Sequence, residues 1–121
     1  MREKKPKLPK ILESKVRDNI RTELKRHGIF HYKEWQGMGS AKGVSDIIGV
    51  LPDGRFLAIE IKTPEGMRRR ERERIRKTDN PKEKIYQDIF IDNINRNNGV
   101  AFYATSSLDV FQELRRLGYV K

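Results

Sequence analysis

The chain of 121 residues has no cysteine, which excludes disulfide bonds and thiolate zinc sites and leaves His27 and His31 as its only imidazoles. Any metal it binds must be held largely by oxygen. Acids are in the minority: 17 Asp and Glu stand against 27 Lys and Arg, a formal net charge of +10. Long apolar runs are missing too. Apolar residues make up 36% of the chain, and no run approaches the roughly 20 residues that a membrane-spanning helix needs. The opening MREKKPKLPK is charged and punctuated by proline, with no apolar run behind it. It does not read as a signal peptide, so a cytoplasmic location is expected. There is no internal repeat, the glycines from Gly37 to Gly43 lack dinucleotide-binding spacing, and no Gly-Lys-Ser or Gly-Lys-Thr occurs.

What remains is one domain's length of chain with a strong basic excess. A basic face accumulates polyanions through counterion release, so nucleic acid is the leading class of partner. An acidic membrane would suit the charge, but no helix pattern combines a strongly basic face with a bulky apolar one. Charge alone does not separate an enzyme from a passive basic DNA-binding module.

The pattern of elements is legible. Residues 1–9 form a basic leader and residues 10–121 a single domain. Leu12, Val16, Ile20 and Leu24 recur every four residues and Gly28 marks a stop, which predicts a helix from Lys10 to His27. Ile29 to Trp35 predicts a first strand, and a glycine-rich loop runs to Gly43. Val44 to Leu51 and Arg55 to Thr63 predict two more strands joined by Pro52, Asp53 and Gly54, a turn-forming triplet. An Arg/Glu-rich insertion at 64–81 reads either as a solvated, ion-paired excursion or as a DNA-tracking arm. Asn80, Pro81 and Glu83 predict the start of a helix running to about Asn97. Val100 to Thr105 is a short strand, and Ser106 or Ser107 caps a last helix ending at Leu117 before Gly118. Three strands in succession before the second helix predict an α+β domain with a mixed sheet flanked by helices and an extra C-terminal helix.

Two acids interrupt the apolar hairpin. With a three-residue turn, Leu51 faces Arg55 and Asp46 falls opposite Glu60. Alternation then puts Asp46, Glu60 and Lys62 on one face. Opposed Cβ atoms lie ~5 Å apart, where like charges destabilise unless something positive sits between them. Such a pair suits Mg²⁺ or Mn²⁺, hard cations that prefer oxygen. The plainer alternative is a solvent-facing sheet margin with Lys62 as an ordinary salt-bridge partner.

GVSD (Gly43 to Asp46), followed after a strand and turn by EIK (Glu60 to Lys62), resembles the signature of the PD-(D/E)xK nuclease superfamily, whose fold is the restriction-endonuclease-like αβββαβ core. The helix carrying Gln87 and the strand GVAFYATS (Gly99 to Ser106) are similar to the VRR-NUC family, small nucleases found alone in phages and bacteria and as catalytic parts of larger repair enzymes. The similarity spans about Glu13 to Ser107. It implies a metal-dependent deoxyribonuclease that hydrolyses phosphodiester bonds, selective for branched or flapped DNA. On the resemblance, Asp46 and Glu60 are the metal ligands, Ile61 lends its backbone carbonyl, Lys62 is the lysine of ExK, and Gln87 is the family glutamine. Gln87 also shares a helical face with Ile91 and Ile94, which aims it at the sheet.

A first-helix glutamate facing the metal is expected as well. Glu13 is the candidate and Glu23 the competitor, with a plain solvated acid as the alternative. Ser45 stands where the superfamily motif carries proline, and the 64–81 insertion is longer than a minimal member needs. For the DNA backbone the candidates are the leader lysines, Lys42, and Arg68, Arg69, Arg70 and Arg72 within a run to Lys77. His31, Tyr32 and Trp35 read as core or interface residues rather than base-stacking ones. Two other classes stay open: a homodimeric Holliday-junction-type resolvase, to which the last helix and Phe111 would contribute, and the non-catalytic DNA-binding module.

Overall fold

The computed structural model describes residues 12–34, 44–69 and 82–121. Helix α1 (Glu13–Arg26) is followed by strands β1 (Phe30–Lys33), β2 (Ile47–Val50) and β3 (Phe56–Ile61), helix α2 (Lys82–Arg96), strand β4 (Val100–Ala104) and helix α3 (Ser107–Arg116). Residues 64–69 are also helical. The four strands form one mixed sheet in chain order: β1 and β2 pair antiparallel, as do β2 and β3, while β3 and β4 run parallel. The expected α+β architecture, a mixed sheet flanked by helices, is therefore present.

Alternation divides the sheet between two cores. Ile47, Leu57, Ile59 and Ile61 face α1 and α3, where Val16, Ile20, Leu24, Val110 and Leu114 close the larger cluster. Ile48, Ala58 and Ala101 face α2 and pack against Phe90, Ile91 and Ile94. Beyond α2, the same face displays Phe30, Tyr32, Val50 and Phe56, all exposed.

The ends of the elements correct several expected boundaries. Leu12 is extended, with φ −76° and ψ 140°, so α1 begins at Glu13 rather than Lys10. Regular pairing in β2 starts at Ile47 rather than Val44, because the chain bends at Asp46. The hairpin turn forms as its sequence predicts. Gly54 takes φ 93°, and Leu51 and Arg55 are joined by a backbone bond of 2.8 Å. Beyond the turn, Arg55 donates to the carbonyls of Asn98 and Gly99 and to the Tyr119 hydroxyl, tying the hairpin to the start of β4 and to the C-terminus. At the sheet's β4 edge, Asn95 of α2 exchanges two hydrogen bonds with the backbone of Ala101, at 2.9 and 3.0 Å. Ser106 caps α3 by accepting from the Asp109 N–H, while Asp109 accepts from Thr105.

Phe111 does not project as a free apolar surface. It is half-buried against His27, with ring centroids 5.9 Å apart. The expected Asn80–Pro81–Glu83 helix opening, Trp35, Lys42, Arg70, Arg72 and the leader lysines lie outside the residues, or the side chains, that the structure describes.

Candidate functional site

The β2–β3 register pairs Ile47 with Ile59, Ile48 with Ala58, Gly49 with Leu57 and Val50 with Phe56. Continued by one residue, it sets Asp46 opposite Glu60, at the end of the sheet away from the turn. The parallel register places Tyr103 of β4 on the other side of Glu60. Hairpin geometry alone therefore brings the two acids together.

Glu60 is the unusual member. Only 2% of it is exposed, and its Oε1 accepts from Gln87 Nε2 at 2.9 Å with Lys62 Nζ at 3.9 Å. Its other oxygen, Oε2, is buried without a hydrogen-bond donor, as are Gln87 Oε1 and the hydroxyl of Ser45. Burial, and then the charge and close approach of the Asp46 carboxyl, push Glu60 up to about 9. Lys62 pulls the other way with less effect. Two carboxyl groups in hydrogen-bonding range need a proton or a cation between them.

Asp46 is held from behind. Its Oδ2 accepts from the Ile61 N–H at 2.8 Å, so the backbone of β3 fixes the orientation of the acid on β2. What the structure records of Ile61 itself is this N–H and a side chain buried in the α1-facing core. Gln87 reaches Glu60 because it lies one helical turn before Ile91, which packs on the sheet.

Glu13, at the first turn of α1, is near enough for Asp46 and Lys62 to act on it. Burial of its carboxyl and then Asp46 raise it above the usual range, while Lys62 and Arg17 lower it. It does not complete a three-acid cage: among the described residues no three His, Cys, Asp or Glu side chains draw together closely enough to hold a metal ion. The reason is its place at an exposed helix end, on an element that packs against the opposite face of the sheet. Glu23 is no competitor, because it accepts from His27 at 2.8 Å and pairs with Arg26 at 3.3 Å. Arg68 and Arg69 are exposed on the helical residues 64–69.

Protein-family models, curated proteins and solved structures contain no match to this chain. Among the described residues no helix is long and apolar enough to cross a membrane.

One acid escaped the sequence reading. The Glu34 N–H donates to the Asp46 carbonyl at 2.8 Å, which extends the β1–β2 ladder by one step. By alternation, Glu34 lies on the face that carries Asp46. Only the β1–β2 register could have revealed this, and no tight turn fixes that register in advance.

The donor set fits a hard divalent cation, with Asp46 and Glu60 as the residues that would hold it. Mg²⁺ is commonly bound by one or two carboxylates, with water and substrate phosphate completing its shell. The donor-less Oε2 of Glu60 is the atom whose burial such an ion would offset.

Proposed function

We propose that this protein is a divalent-metal-dependent deoxyribonuclease with a restriction-endonuclease-like core, allied to the VRR-NUC nucleases and selective for branched or flapped DNA. One observation carries the reading: a buried glutamate with a donor-less oxygen meets an aspartate in register, with a lysine and a glutamine on its other oxygen. A structural salt bridge does not account for that set. A single ammonium at 3.9 Å leaves two acids in one place, a contact that is tolerable only with a proton or a cation between them.

Each residue then has a task. Asp46, held by the Ile61 N–H, and Glu60, held by Gln87, present oxygens to Mg²⁺ or Mn²⁺. A bound cation supplies polarisation of the scissile phosphate and a water of lowered pKa. Lys62 is a compact cation with three donors, suited to orienting the attacking water or balancing charge on the phosphorane. Gln87, whose Oε1 is also without a donor, can hold that water or Lys62 while its amide nitrogen keeps Glu60 in place.

The test is cleavage of linear, flapped, nicked and four-way DNAs with Mg²⁺, with Mn²⁺ and with EDTA. Metal-dependent cutting that is lost in Asp46→Ala is expected. Cutting that survives Asp46→Ala, or that proceeds equally in EDTA, would contradict the assignment.

The exposed Phe30, Tyr32, Val50 and Phe56 favour a second reading, a homodimeric resolvase that buries this sheet face against a twin. That surface replaces the last helix as the candidate interface. Sedimentation as a monomer at high concentration would remove it.

A further inference from the structure

From the geometry of α1 and β1 we infer that Arg17, Arg21 and Lys25 form a track for a nucleic-acid phosphate backbone that leads to the Asp46–Glu60 site. The inference rests on the nuclease reading for its destination, but its own evidence is separate.

Glu13, Arg17, Arg21 and Lys25 follow one another at intervals of four on α1. Successive members are about 6 Å apart along the axis and drift about 40° around it. The head of the row lies at the end of the sheet that carries the site. Helix α1 turns back through three residues into β1, whose far end meets Asp46 through the Glu34 N–H. From there Asp46 and Lys62 both act on Glu13. The row lies on the flank of α1 that faces β1, as the Arg21 Nε donating to His31 Nε2 at 3.5 Å shows. The C-terminal end of α1 meets α3, where His27 packs on Phe111. Three cations therefore descend over roughly 12 Å of helix from Arg17 to Lys25, beside the edge strand of the sheet.

Cations at this spacing repel one another, and elsewhere the helices relieve such charges. Arg26 sits on Glu23, Arg96 on Asp92 and Arg116 on Glu113. Arg17, Arg21 and Lys25 make no salt bridge among the described residues, and of the three it is Arg17 whose charge is felt by an acid, Glu13 one turn away. Like charges at i, i+4 cost a few tenths of a kcal/mol per pair, a cost that a row of phosphates would reverse.

His31 gives the row a directed member. Its Nδ1 is 2.9 Å from the Ile29 carbonyl, so that nitrogen carries the proton and donates, leaving the Nε2 lone pair to accept from Arg21. Burial and the charges of Arg21 and Lys25 outweigh the Ile29 bond and lower its pKa, which favours this neutral form. Arg21 is thus tied through Nε while its terminal amino groups stay available for a phosphate, the arrangement that suits a guanidinium fork. His31 is a positioning residue here.

The experiment measures binding of a fluorescent DNA duplex in EDTA across a range of salt, where no cutting interferes. The protein is compared with the triple variant Arg17→Gln, Arg21→Gln, Lys25→Gln and with a charge-matched control, Arg26→Gln, Arg96→Gln, Arg116→Gln. Each phosphate contact contributes about 0.9 to the slope of log K against log salt. The track variant should lose about 2 to 3 of that slope and the control less than about 1. Arg21→Gln alone should lose about 1, which keeps the test available if the triple variant folds poorly. Equal losses in the two triple variants, or an unchanged slope in the track variant, would overturn the track. Cleavage assayed in parallel separates the two claims. Metal-dependent cutting with normal binding by the track variant would sink the track and leave the nuclease standing. Binding through the track without cutting of any DNA would do the reverse.

Discussion

Replacing Glu60 with glutamine isolates the electrostatics of the site, because glutamine copies the protonated acid. Its oxygen can accept from Gln87 Nε2 as Glu60 Oε1 does, and its amide can donate toward Asp46 where the carboxyl proton would lie. In the metal-free protein, Glu60 titrates near 9 against 4.5 for an ordinary glutamate. The folded state therefore binds a proton that the unfolded chain has released. Stability attributable to this group is fully present below pH 4.5 and is lost as pH rises toward about 9. At pH 7 the loss is on the order of 3 kcal/mol, the cost of carrying that proton well above its unfolded pKa. E60Q has nothing to titrate at this position. In EDTA at pH 7 to 8 it should equal or exceed the parent in stability, by up to about 3 kcal/mol, and its profile from pH 5 to 8 should be flatter. Added Mn²⁺ should stabilise the parent, by about 3 kcal/mol at a hundredfold excess over Kd, and leave E60Q unmoved. Urea denaturation across that pH range, with and without Mn²⁺, reads every arm. An E60Q protein that unfolds more easily than the parent throughout, with the parent's stability flat in pH, would refute the reasoning.

Lys62→Ala should leave Mn²⁺ binding in place and slow cleavage by a factor on the order of 10² to 10³, as loss of one transition-state donor does; single-turnover kinetics separates this from weaker DNA binding. Gln87→Leu removes the donor that holds Glu60 and should weaken metal affinity by about 10- to 100-fold, measured by Mn²⁺ titration. Asn95→Ala strips two hydrogen bonds from the backbone of buried Ala101 and should cost about 2–3 kcal/mol of stability by chemical denaturation. Arg55→Ala, which frees the hairpin turn from Asn98, Gly99 and Tyr119, should cost about 1–2 kcal/mol and leave cleavage intact.

The hairpin was readable because short-range chemistry determines it. Pro52 and Gly54 specify the turn, the turn specifies the register, and period-2 alternation carries Asp46 to Glu60 without any knowledge of the rest of the fold. Gln87 was readable for the same kind of reason, since a helix in which Ile91 and Ile94 point at a sheet must aim a residue one turn earlier at it too. Glu34 and the α1 track were not readable. Both depend on packing: Glu34 on how β1 is set against β2, across a long connection whose sequence fixes no register, and the track on how α1 lies beside β1. Glu13 marks the boundary between the two cases: periodicity placed it beside the apolar stripe, but how near a helix end approaches the sheet is decided by packing. The depth of Glu60 was hidden as well, since its burial comes from α2 and β4, which arrive late in the chain.

The central claim is that Asp46 and Glu60 form a seat for a divalent cation, and calorimetric titration of the protein with Mn²⁺ tests it most directly. Run at pH 7 in buffers of different ionisation enthalpy, it should show binding with uptake of close to one proton by the buffer, because Glu60 must give up its proton to bind, with affinity rising toward pH 9. Asp46→Ala and E60Q should both abolish that event. Equal Mn²⁺ uptake by the parent and both variants, or none by the parent even in the presence of DNA, would contradict it.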